Sequence, residues 1–142
     1  MKFVYSDGGR AEAGFRGKAN DCVTRAIALA TRKPYQEVYD ALYKIAQGER
    51  IGKRKGRISH PSTGIFNYTQ DRYLEGLGWT WVPTMKIGQG CKVHLRDGEL
   101  PMGRLIVSVS RHMVAVIDGV IHDTFDCSRD GNRCVYGYWK KD

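Results

Sequence analysis

Apolar residues recur at helical spacing in the first half of the chain and at alternating spacing in the second. Val23, Ala26, Ile27 and Ala30 share one face of a helical repeat, so residues 22–32 read as a buried helix. Asn20 or Asp21 precedes it as a natural N-cap. A second stripe, Tyr35, Val38, Tyr39, Leu42, Ile45 and Ala46, predicts another helix, with Pro34 in its first turn and Gly48 at its C-terminal stop. Phe66, Tyr73, Leu74 and Leu77 fit a third helix over residues 63–77, ended by Gly78. Residues 1–20 are polar and glycine-rich and read as loop.

Beyond Gly78 the period becomes two. Trp79–Val82, Cys91–Leu95, Arg104–Ser110, His112–Ile117, Val120–Asp126 and Cys134–Trp139 read as strands. Asp118-Gly119 between two apolar runs is a two-residue hairpin signal. The layout is α+β: N-terminal helices packed on a C-terminal antiparallel β-sheet, in one domain over residues 1–142.

Composition narrows the classes. With 42% hydrophobic residues, the 142-residue chain can bury a core without disulfides or a structural metal. The longest clean apolar run, Met113–Ile117, is far too short for a membrane span. The N-terminal MKFVYSDGGR has no apolar signal core, so a cytoplasmic protein is expected. Its four cysteines, Cys22, Cys91, Cys127 and Cys134, include no CxxC pair and are expected to stay reduced there. A net charge of +8 suggests an acidic partner.

Cys22 opens the first helix, where unpaired N–H groups and the macrodipole favour a thiolate. The alternative is a small packing residue. A thiol nucleophile needs a base, and His112 opens the apolar strand before the hairpin. If Asp118-Gly119 is the turn, Ile117 faces Val120 and Val114 faces Asp123. His112, Val114, Asp123 and Phe125 then share one face, with Asp123 diagonal to His112. Asp123 could hold the imidazole as the third member of a triad; the alternative is a polar pair at a sheet rim. Under the same register Asp126 and His122 point to the other face.

The stretches Asp21-Cys22-Val23-Thr24-Arg25-Ala26-Ile27, Pro34-Tyr35-Gln36-Glu37-Val38-Tyr39, Ser110-Arg111-His112-Met113-Val114-Ala115-Val116-Ile117-Asp118-Gly119 and His122-Asp123-Thr124-Phe125-Asp126 resemble a group of small bacterial and phage proteins regarded as papain-like. That group is similar to bacteriocin-processing cysteine peptidases, and the resemblance runs from about Asn20 to Trp139. It implies Cys22 as nucleophile, His112 as base and Asp123 as orienting residue. Papain-like peptidases carry a glutamine about six residues before the cysteine as an oxyanion-hole donor. Here that position is Arg16, which leaves the Cys22 N–H with Asn20 or Arg16 as candidates. The implied activity is acyl transfer from a peptide or isopeptide bond, without a cofactor. Amidases, deubiquitinase-like enzymes and acyltransferases use the same layout.

Two other features compete for function. Arg50, Lys53, Arg54, Lys55 and Arg57 form a basic loop with interleaved glycines. It suits an acidic protein or nucleic acid, but carries no aromatic stacking platform, and a solvated loop is the simpler account. A non-catalytic interaction module using this loop is the alternative to a hydrolase. Cys91 and His94, with Cys127 and Cys134, could make a Cys3His zinc set, but strand geometry points Cys91 and His94 apart, so no metal is expected. Trp79, Trp81 and Trp139, with Tyr136 and Tyr138, read as core and sheet-face residues, some of which could line a groove.

Overall fold

In the computed structural model, which describes residues 1–17, 19–49 and 59–142, the helical stripes become three helices, α1 (Cys22–Thr31), α2 (Tyr35–Gln47) and α3 (Asn67–Gly76). Val23, Ala26, Ile27, Val38, Leu42 and Leu74 bury the stripes against one another and against the sheet. The basic loop Arg50, Lys53, Arg54, Lys55 and Arg57 lies outside the described residues. Among the described residues no helix is long and apolar enough to cross a membrane.

The strands are β1 (Lys2–Tyr5), β2 (Thr80–Pro83), β3 (Arg104–Val109), β4 (His112–Ile117), β5 (Val120–Asp123) and β6 (Val135–Lys140). They form one six-stranded sheet in the order β1-β5-β4-β3-β6-β2. The sheet is mixed, because β1 pairs parallel to β5, with Lys2 beside Val120 and Tyr5 beside Asp123. This corrects the expected antiparallel sheet and the reading of residues 1–20 as loop throughout. All four residues of β1 are exposed, so no alternation marks it; backbone pairing at the sheet edge holds it.

Alternation along β3 and β4 divides the core. Ile106, Met113, Ala115 and Trp139 pack with the helices. Leu105, Val107, Val109, Val114, Val116, Ile121 and Val135 face the other side, under Leu95 and Cys127. The β4–β5 hairpin has the expected register, Ile117 opposite Val120 and Val116 opposite Ile121. Its turn residues Asp118 and Gly119 sit at φ 49° and 78°, the left-handed pair that a two-residue hairpin requires.

Several local expectations change. The side chain of Asp21 does not cap α1; its carboxylate is engaged by Arg25, Arg10 and Tyr35 instead. Pro34 stands just before α2 with an extended ψ of 143°, and Gly48 closes that helix at φ −85° without a left-handed turn. Residues 91–95 are not a strand: only His94 bridges Cys134, and Leu95 N–H donates to the Arg133 carbonyl. Cys91 and Cys134 are joined by a disulfide. That corrects the expectation of four reduced cysteines and removes two members of the zinc set.

Candidate active site

The antiparallel pairing of β4 with β5 sets the start of one strand beside the end of the other, and those ends are His112 and Asp123. Nε2 of His112 lies 2.6 Å from Oδ2 of Asp123. The Ser110-Arg111 turn, with Arg111 at φ 56°, delivers His112 directly from β3. Arg133 holds that turn by donating to the Ser110 carbonyl, and reaches the Cys127 carbonyl at 3.3 Å. Phe125 flanks the imidazole with ring centroids 5.2 Å apart.

Cys22 is the first residue of α1, which packs across β4. Its half-buried thiol lines a cleft of about 640 Å³ together with Asn20, Gly64, Gln70, His112 and Phe125. Burial pushes the thiol pKa up, but the His112 imidazole, the Met113 backbone and the Arg25 charge outweigh it, and the pKa falls below its ordinary value. Burial pulls His112 down, while Asp123, Cys127 and Cys22 push it further the other way, to about 11. Asp123 is raised by burial but held below the carboxylate range by His112, the Thr124 N–H and Arg25. The shifts together favour thiolate, imidazolium and carboxylate over the neutral forms. Cys22 and His112 couple directly, each stabilising the other's charged form.

A second layer fixes the carboxylate. Oδ1 of Asp123 accepts from Thr124 N–H at 2.7 Å and lies 3.3 Å from Arg25 Nη2. Arg25 also pairs with the buried Asp21, whose other oxygen takes Tyr35 Oη at 2.7 Å and Arg10 Nε at 3.4 Å. Gly8, at φ 70°, lets the N-terminal segment run against this helix: a Cβ there would stand 3.1 Å from Arg25 Cα. Local sequence pattern carried no signal for Arg25 or Gly8, because each acts through a distant element.

The two oxyanion candidates separate. Asn20 lines the cleft beside Cys22, and its N–H donates to the Ser62 carbonyl at 2.8 Å. Arg16 does not line it; its carbonyl accepts from Arg10, and the residue borders a different depression with Tyr5 and Asp7. Gln70, 6% exposed, is a cleft amide that the sequence reading missed. Its signal was a polar residue one helical turn before the buried Tyr73 and Leu74.

His112, Asp123 and the buried Cys127 bring one ligand atom each within 4.8 Å of one another. Zinc ligands in a tetrahedron stand roughly 3.3 Å apart. The 2.6 Å His112–Asp123 separation instead matches a shared proton, and Arg25 beside the carboxylate opposes a second cation. Cys127 acts on His112 as a hydrogen-bond partner that favours the charged ring.

Comparison with protein-family models, characterised proteins and solved structures returns no match for this chain. The class that the site defines rests on its geometry: a thiol at a helix start, facing an imidazole hydrogen-bonded to a carboxylate.

Proposed function

We propose that the chain is a papain-like cysteine peptidase or related thiol hydrolase acting on a peptide or isopeptide bond. The observation that carries this reading is the 2.6 Å His112–Asp123 hydrogen bond beside a Cys22 thiol of lowered pKa in an open cleft. Cys22 Sγ attacks the substrate carbonyl carbon, and the carbonyl oxygen takes the electron pair. The Cys22 N–H, with Asn20, faces that oxygen. Collapse breaks the C–N bond as the His112 imidazolium gives its proton to the leaving amine. Neutral His112 then takes a proton from water, whose oxygen attacks the thioester. The thiolate leaves, the acid is released and the imidazolium is restored. Asp123 holds the ring orientation and its charged form throughout.

Cytoplasmic placement belongs to the same proposal, and there the reducing glutathione pool acts against the Cys91–Cys134 bond. The hydrolase reading is tested by iodoacetamide at neutral pH. Fast, stoichiometric labelling of Cys22 that is lost in His112→Ala is expected. Labelling as slow as that of a free thiol, unchanged in His112→Ala, overturns the reading.

A further inference from the structure

The cleft at Cys22 continues past α3. A second depression of about 330 Å³ shares four wall residues with it, Asn67, Gln70, Ser108 and Tyr136. Its far end is built by Asp71 and Glu75 from α3 and by Trp81 and Trp139 from the sheet. One groove therefore runs from the thiol to a pair of carboxylates beside two indoles.

That end is acidic and aromatic. The protein carries a net charge of +8, yet the described residues that line this depression include two acids and no base. Among the described residues, no Lys, Arg or His forms an ion pair with Asp71 or Glu75. Burial and the neighbouring Glu75 charge push the Asp71 carboxyl up and outweigh a hydrogen bond from Gln70 that pulls it down. Trp81 is 38% exposed but held in place. Its ring lies so close over Gly137 that a Cβ there would stand 2.3 Å from Cζ2. The Trp139 ring packs against it at 5.5 Å. Trp139 itself is 2% exposed and backs the Trp81 ring, and among the described residues its indole N–H has no acceptor.

A closely packed aromatic face flanked by carboxylates that lack an ion-pair partner among the described residues is an arrangement that holds an organic cation, through the ring quadrupole and the charges together. We propose that this end of the groove is a specificity subsite that takes a lysine or arginine side chain of the peptide substrate, with Asp71, Glu75 and Trp81 as its recognition residues. The peptide nature of the ligand rests on the hydrolase reading; the cation preference rests on the groove alone.

The test measures reversible binding to the Cys22→Ser protein by calorimetry. The probes are hexapeptide amides carrying one lysine scanned through each position, against a matched set with norleucine. At one position lysine is expected to bind about 10-fold tighter than norleucine, the scale of a cation–π contact combined with partly screened ion pairs. In Asp71→Asn/Glu75→Gln, which preserves shape, and separately in Trp81→Leu, the preference should shrink to within about twofold. Circular dichroism confirms that each variant is folded. Equal binding of both sets, no binding by either, or a preference that survives the double variant overturns the subsite. Cys22 alkylation in the native protein uses no groove contact, so the nucleophile and the subsite can fail independently.

Discussion

Arg25 stands one turn beyond Cys22 on α1, and its Nη2 lies 3.3 Å from Oδ1 of Asp123. The helix that presents the thiol thus also grips the carboxylate behind the imidazole, so the two halves of the site are tied across the helix–sheet boundary. The Arg25 side chain is 11% exposed and serves two buried acids, Asp21 and Asp123. Arg25→Met should cost about 3 kcal/mol of unfolding free energy in urea, because it strands buried charge. It should also raise the Cys22 pKa. Arg25→Lys keeps the charge but loses the fork, so it should restore the pKa more than the stability. A loss within about 0.5 kcal/mol in Arg25→Met would show that the grip is idle.

The reactive form of Cys22 should be present over a wide pH window. The thiol pKa is lowered and the His112 pKa is raised to about 11, so thiolate and imidazolium coexist between them. The alkylation rate should reach its plateau at a lower pH than that of an ordinary thiol. In His112→Ala the thiol loses its main stabilising partner. The rate at pH 7 should then fall about 10- to 100-fold and rise with pH like an ordinary thiol. A native profile that climbs over the same pH range as that of His112→Ala would exclude the ion pair.

The same pair links stability to pH with a definite sign. Asp123 has a lowered folded-state pKa, so its contribution is present above the ordinary carboxylate range and is lost as acid titrates it. His112 has a raised one, so its contribution is complete below about pH 6 and is lost as pH rises toward 11. Urea unfolding of Asp123→Asn should therefore show a flatter stability curve at both ends than the native chain. Parallel curves for the two proteins would contradict the coupling.

What could be read in advance was local. The helical stripe of α1, the Asp118-Gly119 turn and the alternation of β4 with β5 are short-range patterns, and together they put His112 beside Asp123 in the right register. β1 was hidden because its four exposed residues show no alternation and its partner lies more than a hundred positions away. Residues 91–95 alternate like a strand, yet the Cys91–Cys134 bond and one bridge hold them. Cysteine pairing is not deducible from spacing alone. Arg25 and Gln70 escaped because a helix face names its apolar side, not which polar residue a distant strand or cleft will need.

Gly137 is fixed by Trp81. A Cβ on it would meet Trp81 Cζ2 at 2.3 Å, Cη2 at 2.5 Å and the Val82 carbonyl at 2.8 Å. The first two contacts belong to a ring packed on Trp139 and the third to backbone, so neither side yields cheaply. Gly137→Ala should destabilise the fold by about 1–3 kcal/mol through overpacking and should shift Trp81 fluorescence. A neutral substitution with unchanged emission would mean that the ring is free to move.

The Cys91–Cys134 bond closes a loop across a separation of 43 residues and anchors the chain before β3 to the start of β6. Cross-linking a loop of that length removes unfolded-state freedom worth about 3–4 kcal/mol. Dithiothreitol, or Cys91→Ser/Cys134→Ser, should lower the urea midpoint accordingly. The His112–Asp123 pair is built on the hairpin at the other side of β3, and Cys22 on α1. The alkylation rate of Cys22 should therefore persist in the double variant under conditions where it remains folded. If removing the bond abolished Cys22 reactivity in a folded protein, the segment before β3 would have to help shape the cleft. If the midpoint did not move, the bond would constrain nothing that unfolding releases.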